Sequence, residues 1–249
     1  MDNTSFWEIL EAVTVDCKDD GRCFTVADRV HVIERLLDGS AYRLVAREPL
    51  ALVYAKRDLV PGDSVVLVSS HIDSLYTNCF CNDEGELLRG TFDNSIGNAA
   101  ILSLMLQGAR PENVVVAFTG DEEHDSQGAV QTVLALGRIQ CGMKFALVLD
   151  VTNTGWESGA CFALENDLGV DMVTAHKAMA AVEALGVEYS FKHDAEPDET
   201  WNYNDYGIPS LSLCAVVDGF MHGDEGVVAR KNSLSSCLVA LSSLLHTLA

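Results

Sequence analysis

Ser64-Val65-Val66-Leu67-Val68-Ser69-Ser70-His71-Ile72-Asp73 decides how the rest of this chain is read. Residues 64–70 form an apolar run of strand length, and a histidine and an aspartate follow at once. Three more runs have the same form: Asn113-Val-Val-Val-Ala-Phe118, Phe145-Ala-Leu-Val-Leu149 and Ser210-Leu-Ser-Leu-Cys-Ala-Val216. Runs this apolar are typical of strands buried on both faces. Gly120-Asp121-Glu122-Glu123 follows the second run, Asp150 ends the third, and the fourth leads to His222-Gly-Asp-Glu225.

Helical patterns lie between the runs. Ile96, Ala100, Ile101, Leu104 and Met105 share one face of the first. Met172, Val173, Met179 and Val182 mark a second, and Leu234, Leu238, Leu241, Leu245 and Leu248 a third. Upstream, helices are expected near 4–16 and 26–38, the latter with Val26, Val30, Ile33, Leu36 and Leu37 on one face. Strands are expected near 42–46 and 51–55, with Arg47-Glu-Pro49 as the turn. Strands alternating with helices predict an α/β fold: a three-layer α/β/α sandwich around a mixed, mostly parallel sheet. Repeats, linkers and low-complexity segments are not evident, so residues 1–249 read as a single catalytic domain.

Bulk properties narrow the function. The 37 acidic residues outnumber the 16 basic ones, a formal charge of −21 that repels phosphate backbones and anionic lipid. Nucleic acid and membrane are therefore not expected as partners. No apolar stretch approaches the ~20 residues of a membrane span. The opening Met1-Asp-Asn-Thr-Ser-Phe-Trp-Glu8 lacks a signal-peptide pattern, and a cytoplasmic location is the expectation. The eight cysteines are scattered and read as free thiols. Cys79-Phe-Cys81 is the only close pair and has no second pair to complete a structural metal site.

In an open α/β sheet, ligands bind beyond the carboxyl ends of the strands. His71, Asp73, Glu122, Glu123, Asp150 and His222 all fall on that rim. Asp93, in Thr91-Phe-Asp93-Asn94-Ser95, precedes the helix at 96 and faces the same side if the chain returns there. Two imidazoles and several carboxylates on one rim suit a transition-metal site, with Zn, Co or Mn as the ions.

At this point the sequence resembles the di-zinc exopeptidase superfamily, of the bacterial leucyl-aminopeptidase type with features of the glutamyl-aminopeptidase type. The matching pieces run from about residue 64 onward. They are His71-Ile-Asp73, Gly90-Thr-Phe-Asp93-Asn94 with Gly97, Thr119-Gly-Asp-Glu122-Glu123 with Gly128-Ala129, Asp150-Val-Thr152, Gly207-Ile-Pro209 and Met221-His222. The resemblance implies two divalent ions, zinc first among Zn, Co and Mn, bridged by Asp93. His71 and Asp150 would complete one ion, and Glu123 and His222 the other. Glu122 matches the general base acting on a metal-bridging water, and Asp73 the carboxylate that orients the His71 ring. The Asp93–Asn94 bond matches a position where relatives hold a cis peptide. The 22 residues from His71 to Asp93 are too few for an inserted lid domain, so the chain resembles the catalytic core alone.

The function implied is an aminopeptidase acting on short peptides. Many relatives assemble, so a homo-oligomer is compatible with the resemblance. The acidic residues Asp121, Asp125, Asp194, Glu196, Asp198, Glu199, Asp224 and Glu225 are expected near the rim, where they would attract a cationic amino terminus. A carboxylate-binding enzyme would need a cation, and Lys177, Lys192, His193 and Arg230 are the local choices. Relatives of the leucyl type carry Ser-Asp-His where this chain has Asp198-Glu199-Thr200. Trp201, Tyr203, Tyr206, Phe220 and Met221 are candidates for a side-chain pocket or for packing beneath the loop. A deacylase or dipeptidase on the same site is the alternative. A glutaminyl-cyclase-like cyclotransferase and a metal-binding scaffold rank below it.

Overall fold

The computed structural model describes residues 5–15, 27–107, 111–166, 172–195 and 198–249. Helices α1 (Phe6–Val13) and α2 (Ala27–Leu37) precede the strands β1 (Arg43–Glu48), β2 (Ala51–Ala55) and β3 (Ser64–His71). A small hairpin, β4 (Cys81–Glu84) and β5 (Leu87–Gly90), leads into α3 (Ser95–Leu106). Then come β6 (Val114–Thr119), α4 (Gln127–Arg138), β7 (Gly142–Thr152) and β8 (Phe162–Asn166). The remainder is α5 (Met172–Glu183), β9 (Tyr189–His193), α6 (Glu199–Asp205), β10 (Ser210–Asp218), β11 (Val227–Arg230) and α7 (Lys231–Leu248).

The sheet runs β1-β2-β6-β3-β7-β10 and continues through β11-β5-β4. The four apolar runs form its parallel centre, β6, β3, β7 and β10. The β1–β2 hairpin adds antiparallel at β6. Strand β10 forks: Ser212–Ala215 pair with β8, and Val217 and Asp218 pair with β11. The mixed, mostly parallel sheet of the sequence reading is therefore present, with helices on both faces.

Alternation along the strands explains the layers. Val66 and Val68 pack into one apolar cluster with residues of α1, α2, α3, α5 and α7. Val65 and Leu67 pack into another with Ala129, Val133 and Leu136 of α4 and Tyr203 of α6. Successive side chains point to opposite faces, so a strand covered twice must be apolar at every position. Helix α3 is buried from Ser95 to Met105, lying between the sheet and the helices α1 and α2. A helix apolar on all sides requires such a place. Helix α1 starts with a capping box: Glu8 N–H donates to Ser5 Oγ, and Ser5 N–H donates to Glu8 Oε2 at 2.7 Å.

Two local expectations need correction. Strand β1 continues through Glu48, and the hairpin turns at Pro49-Leu50, because Arg47 and Glu48 pair in register with Leu52 and Ala51. In α5 the buried face is Ala175, Ala178 and Val182, while Met172 and Val173 are exposed at the start of the helix. The packing there selects small residues over the larger ones. Val26, Cys17 and Cys23 lie outside the described residues. The six described cysteines are free thiols. Among the described residues no helix is long and apolar enough to cross a membrane.

Gly128 marks the tightest packing near the rim. A Cβ there would lie 2.5 Å from the backbone N and O of Gly120 and from Leu50 O. All three atoms are backbone, so no side chain can give way. Gly128→Ala is expected to destabilise the chain by about 1–3 kcal/mol, as overpacking does. A urea midpoint unchanged from that of the unaltered chain would refute this.

Candidate metal centre

The carboxyl ends of β3, β6, β7 and β10 bring the expected residues together. His71 is the last residue of β3, Glu122 and Glu123 lie between β6 and α4, Asp150 is in β7, and His222 follows β10. Asp93 lies in the turn between β5 and α3, and its bond to Asn94 is cis. The Asp93 carboxylate faces both imidazoles: Oδ1 is 3.0 Å from His71 Nε2, and Oδ2 is 2.9 Å from His222 Nε2. Asp150 Oδ1 lies 3.7 Å from His71 Nε2, and Glu123 Oε2 lies 3.2 Å from His222 Nε2. Two groups thus share Asp93: His71–Asp93–Asp150 and Asp93–Glu123–His222. In each, the ligand atoms lie within 4.8 Å of one another. Glu122 Oε2 is 3.9 Å from His71 Nε2 and belongs to neither of these two groups, although His71, Glu122 and Glu123 also come within the same reach.

Buried hydrogen bonds hold these groups in place. Asn94 Nδ2 donates to Leu149 O at 2.7 Å, tying the Asp93 turn to β7 beside Asp150. Its Oδ1 accepts from Gly97 N–H and so caps α3. Asn98 Nδ2 donates to both His71 O and Asn94 O at 2.8 Å. Asp73 is fully buried; its Oδ1 is 3.4 Å from His71 Nδ1, and its Oδ2 accepts from Glu123 N–H at 3.2 Å. His222 occupies the left-handed region, φ 67°, which disfavours a side chain, and its N–H donates to Tyr76 Oη at 3.2 Å.

Electrostatics shows how crowded the centre is. Burial pushes the Glu122 carboxyl up to about 9, and Asp150, Asp93 and Glu123 add to the rise. Burial likewise raises Asp150 to about 7. Hydrogen bonds to Asp93 and Glu123 raise His222 to about 10. Burial opposes a charge on His71, yet the surrounding carboxylates, Glu122 foremost, raise it well above the ordinary imidazole range. Burial also opposes charge on Asp93, but His222 and His71 hold it below the usual carboxylate range. Crowded carboxylates thus favour positive charge at this centre.

A cleft of about 270 Å³ opens from this centre. Asp93, Glu122, Glu123, Asp150 and His222 line one side, and Thr152, Glu165, Lys192, Asp198 and Met221 are among the other lining residues. Thr152 Oγ1 donates to Glu165 Oε1 at 2.7 Å. Asp198 caps α6 by accepting from Thr200 N–H, and also accepts from Ser212 Oγ. The aromatic candidates fare differently. Only Met221 of that set lines the cleft, whereas Trp201, Tyr206 and Phe220 are exposed. Tyr203 is fully buried beneath the sheet, donating to Ser69 Oγ at 2.9 Å, and Ser69 Oγ donates to Glu199 Oε2 at 2.5 Å. Glu199 is therefore no part of an acidic surface, and burial pushes its carboxyl up to about 7. Glu196 lies outside the described residues.

A family model for the M28 peptidases matches residues 53–233, a span that contains every residue of the centre. The chain belongs to Peptidase family M28. No curated protein sequence matches this M28 chain. Among solved structures it is similar to a TET aminopeptidase from the archaeon Thaumarchaeota archaeon SCGC AB-539-E09, with a TM-score of 0.79. Identity is 11%, and the match covers 98% of this chain and 97% of that one. It is also similar to an aminopeptidase from Desulfurococcus kamchatkensis, with a TM-score of 0.76, 10% identity, and coverage of 96% and 94%. A third is the Pyrococcus horikoshii TET1 peptidase, which can assemble into a tetrahedron or a large octahedral shell. There the TM-score is 0.73, identity 13%, and coverage 97% and 99%. At these identities the likeness is one of fold.

The residues present fit a pair of ions. His71 Nε2 and Glu123 Oε1 are buried without a hydrogen-bond partner, and both residues belong to the shared groups. Buried polar atoms left unpaired within the chain are costly unless a bound group satisfies them. The donor set of imidazole and carboxylate suits divalent first-row ions. This is the geometry of a co-catalytic di-metal hydrolase. Asp93→Asn should reduce binding from two equivalents of divalent ion to one or none, because one face of the bridge loses its charge. Elemental analysis of the dialysed protein checks the count, and two retained equivalents would contradict the bridging geometry.

Glu199 supplies a pH test independent of the ions. Its pKa is raised on folding, so the folded state binds a proton that the unfolded state releases above about 4.5. Stability is then full below the unfolded value and falls as pH rises through about 7. In the metal-loaded protein, Glu199→Gln should flatten that fall, which is on the order of 3 kcal/mol at its full extent. Denaturant midpoints at pH 5 and pH 8 that drop equally in both forms would exclude Glu199 as the cause.

Proposed function

We propose that the chain is an aminopeptidase that removes N-terminal residues from short peptides at a centre of two divalent ions, taken here to be zinc. The observation that carries this reading is the Asp93 carboxylate, whose two oxygens each face a different imidazole and a different second carboxylate. In this reading His71, Asp93 and Asp150 hold one ion, and Asp93, Glu123 and His222 the other. Bound ions would polarise the scissile carbonyl and make water a nucleophile near neutral pH. Glu122 is the residue left over for proton transfer: it takes a proton from the attacking water and returns it to the leaving amine. Its carboxylate lies 3.9 Å from His71 Nε2, beside the centre and outside both groups that share Asp93. Asp73 orients the His71 ring at Nδ1, which lies 3.2 Å from the Asp73 backbone carbonyl and 3.4 Å from its carboxylate.

The acidic cleft favours a free amino terminus. Glu165 and Asp198 line it, and both keep hydrogen-bond partners that hold them there. A cationic terminus meets negative charge on entry. We read the chain as the leucyl-aminopeptidase type, a single catalytic domain over residues 1–249, because the 22 residues from His71 to Asp93 leave no room for an inserted lid. The aminopeptidases named above make a homo-oligomer of this chain a reasonable extension, and its composition supports a cytoplasmic setting.

Lys192 favours a second reading, a dipeptidase. Among the described residues it is the one lysine or arginine lining the cleft, and its ammonium would anchor a terminal carboxylate. Arg230, by contrast, stacks on Trp156 at 3.6 Å and donates to Trp156 O.

A paired rate assay decides. Metal-loaded protein is offered each peptide of a panel with a free and with an acetylated amino terminus, and as dipeptide and longer amide. Cleavage of free forms at every length is the expected result. Cleavage confined to free dipeptides would select the dipeptidase, and cleavage of acetylated forms alone would select a deacylase. Glu122→Gln should lower kcat by about 10²–10⁴-fold while two ions remain bound. Full activity in that variant would remove Glu122 from the mechanism.

A further inference from the structure

Arg29, in α2, is fully buried, does not line the cleft and lies outside the matched family span. Among the described residues its guanidinium makes three hydrogen bonds, each to a neutral oxygen. Nε donates to Val13 O at 2.9 Å, an Nη to Ile72 O at 2.8 Å, and the other Nη to Ser95 Oγ at 3.4 Å. Burying a cation costs several kcal/mol unless its donors are well used, so an arginine here is a poor choice for packing alone. Its acceptors are informative: Ile72 lies between His71 and Asp73, and Ser95 lies two residues after Asp93.

The peptide group of Ile72 is held from both sides. Its N–H donates to Thr119 O at 2.7 Å, at the end of β6, while its carbonyl accepts from Arg29. Asn98 does the matching work one residue earlier, at His71 O, and on the other loop at Asn94 O. Arg29 and Asn98 therefore each span the same two segments, 71–72 and 94–95. The planar fork of a guanidinium fixes the angle between its acceptors, which a flexible ammonium does not. The third bond, to Val13 O, ties α1 into the same frame.

We propose that Arg29 is a positioning residue that sets the spacing between the His71 and Asp93 segments, and through it the ion affinity of the centre. The N-terminal helices then serve the site from behind, although they lend it no ligand. This inference rests on the di-metal reading above.

The test measures apparent Co²⁺ affinity by chelator competition, together with the visible spectrum of the cobalt-loaded protein and the melting temperature of the metal-free form. Arg29→Met is expected to weaken cobalt binding about 10–100-fold and to alter the spectrum, as loss of an outer positioning contact does. Arg29→Lys should recover part of the affinity. Ile9→Ala, which removes buried packing from α1 and leaves the guanidinium untouched, should lower the melting temperature with affinity and spectrum unchanged. Folded Arg29 variants that bind cobalt as tightly as the unaltered chain would overturn the proposal. So would equal affinity losses in Ile9→Ala, or failure of both Arg29 variants to fold, since the arginine would then be a scaffold residue only. An unaltered chain that binds no paired ions would instead remove the di-metal reading itself, a result visible before any variant is compared.

Discussion

Four carboxylates crowd one end of this sheet, and their mutual repulsion is the constraint on which the rest of the structure turns. Asp93, Glu122 and Asp150 all lie within 4 Å of the same imidazole nitrogen, and Glu123 stands beside the second imidazole. Two like charges 4 Å apart repel by about 4 kcal/mol even at an effective dielectric near 20. Positive charge placed among these groups offsets that repulsion. Burial and the neighbouring carboxylates raise the proton affinity of Glu122, burial that of Asp150, and hydrogen bonds to Asp93 and Glu123 that of His222. Paired ions bound between shared ligands would supply the positive charge directly.

The scaffold answers this constraint with rigid backbone. Parallel strands end on one rim, so residues far apart in sequence arrive together without long excursions of the chain. Around them, buried amides do what water cannot do in a closed space: Asn94 links the bridge to β7, and Asn98 links it to His71. Gly128 lets the Gly120 loop press against α4, and His222 accepts a left-handed backbone to aim its ring. Below the rim, Tyr203, Ser69 and Glu199 form a second polar layer on the α4–α6 face of the sheet. Each of these features sacrifices some stability locally, and the two large apolar clusters offset it.

Legibility followed burial. Strands β3, β6, β7 and β10 could be read because both faces are covered and every position is apolar. Strand β4, Cys81-Asn-Asp-Glu84, could not, because it is short and mostly exposed and owes its form to pairing with β5. The same holds for β9, whose Lys192 reaches the cleft only because β8 and β9 branch from β10. Helix α5 was readable as a helix, yet its inward face was not, since Met172 and Val173 have the hydrophobicity of core residues and lie outside the core. Tyr203 and Glu199 share a loop-like stretch with Asp198, and nothing in their spacing distinguishes the buried pair from the residue that lines the cleft.

The sequence by itself determined the α/β architecture, the order of the parallel strands' end residues, and the candidates for the centre, because hydrophobic period and residue chemistry are local properties. Only the tertiary structure decided which oxygen of Asp93 faces which imidazole, that Lys192 and Glu165 enter the cleft, and that Arg29 braces the loops from the far side. Those facts depend on contacts between segments tens to more than a hundred residues apart. Such contacts are set by how the strands twist and stack, and no local pattern in the chain encodes them.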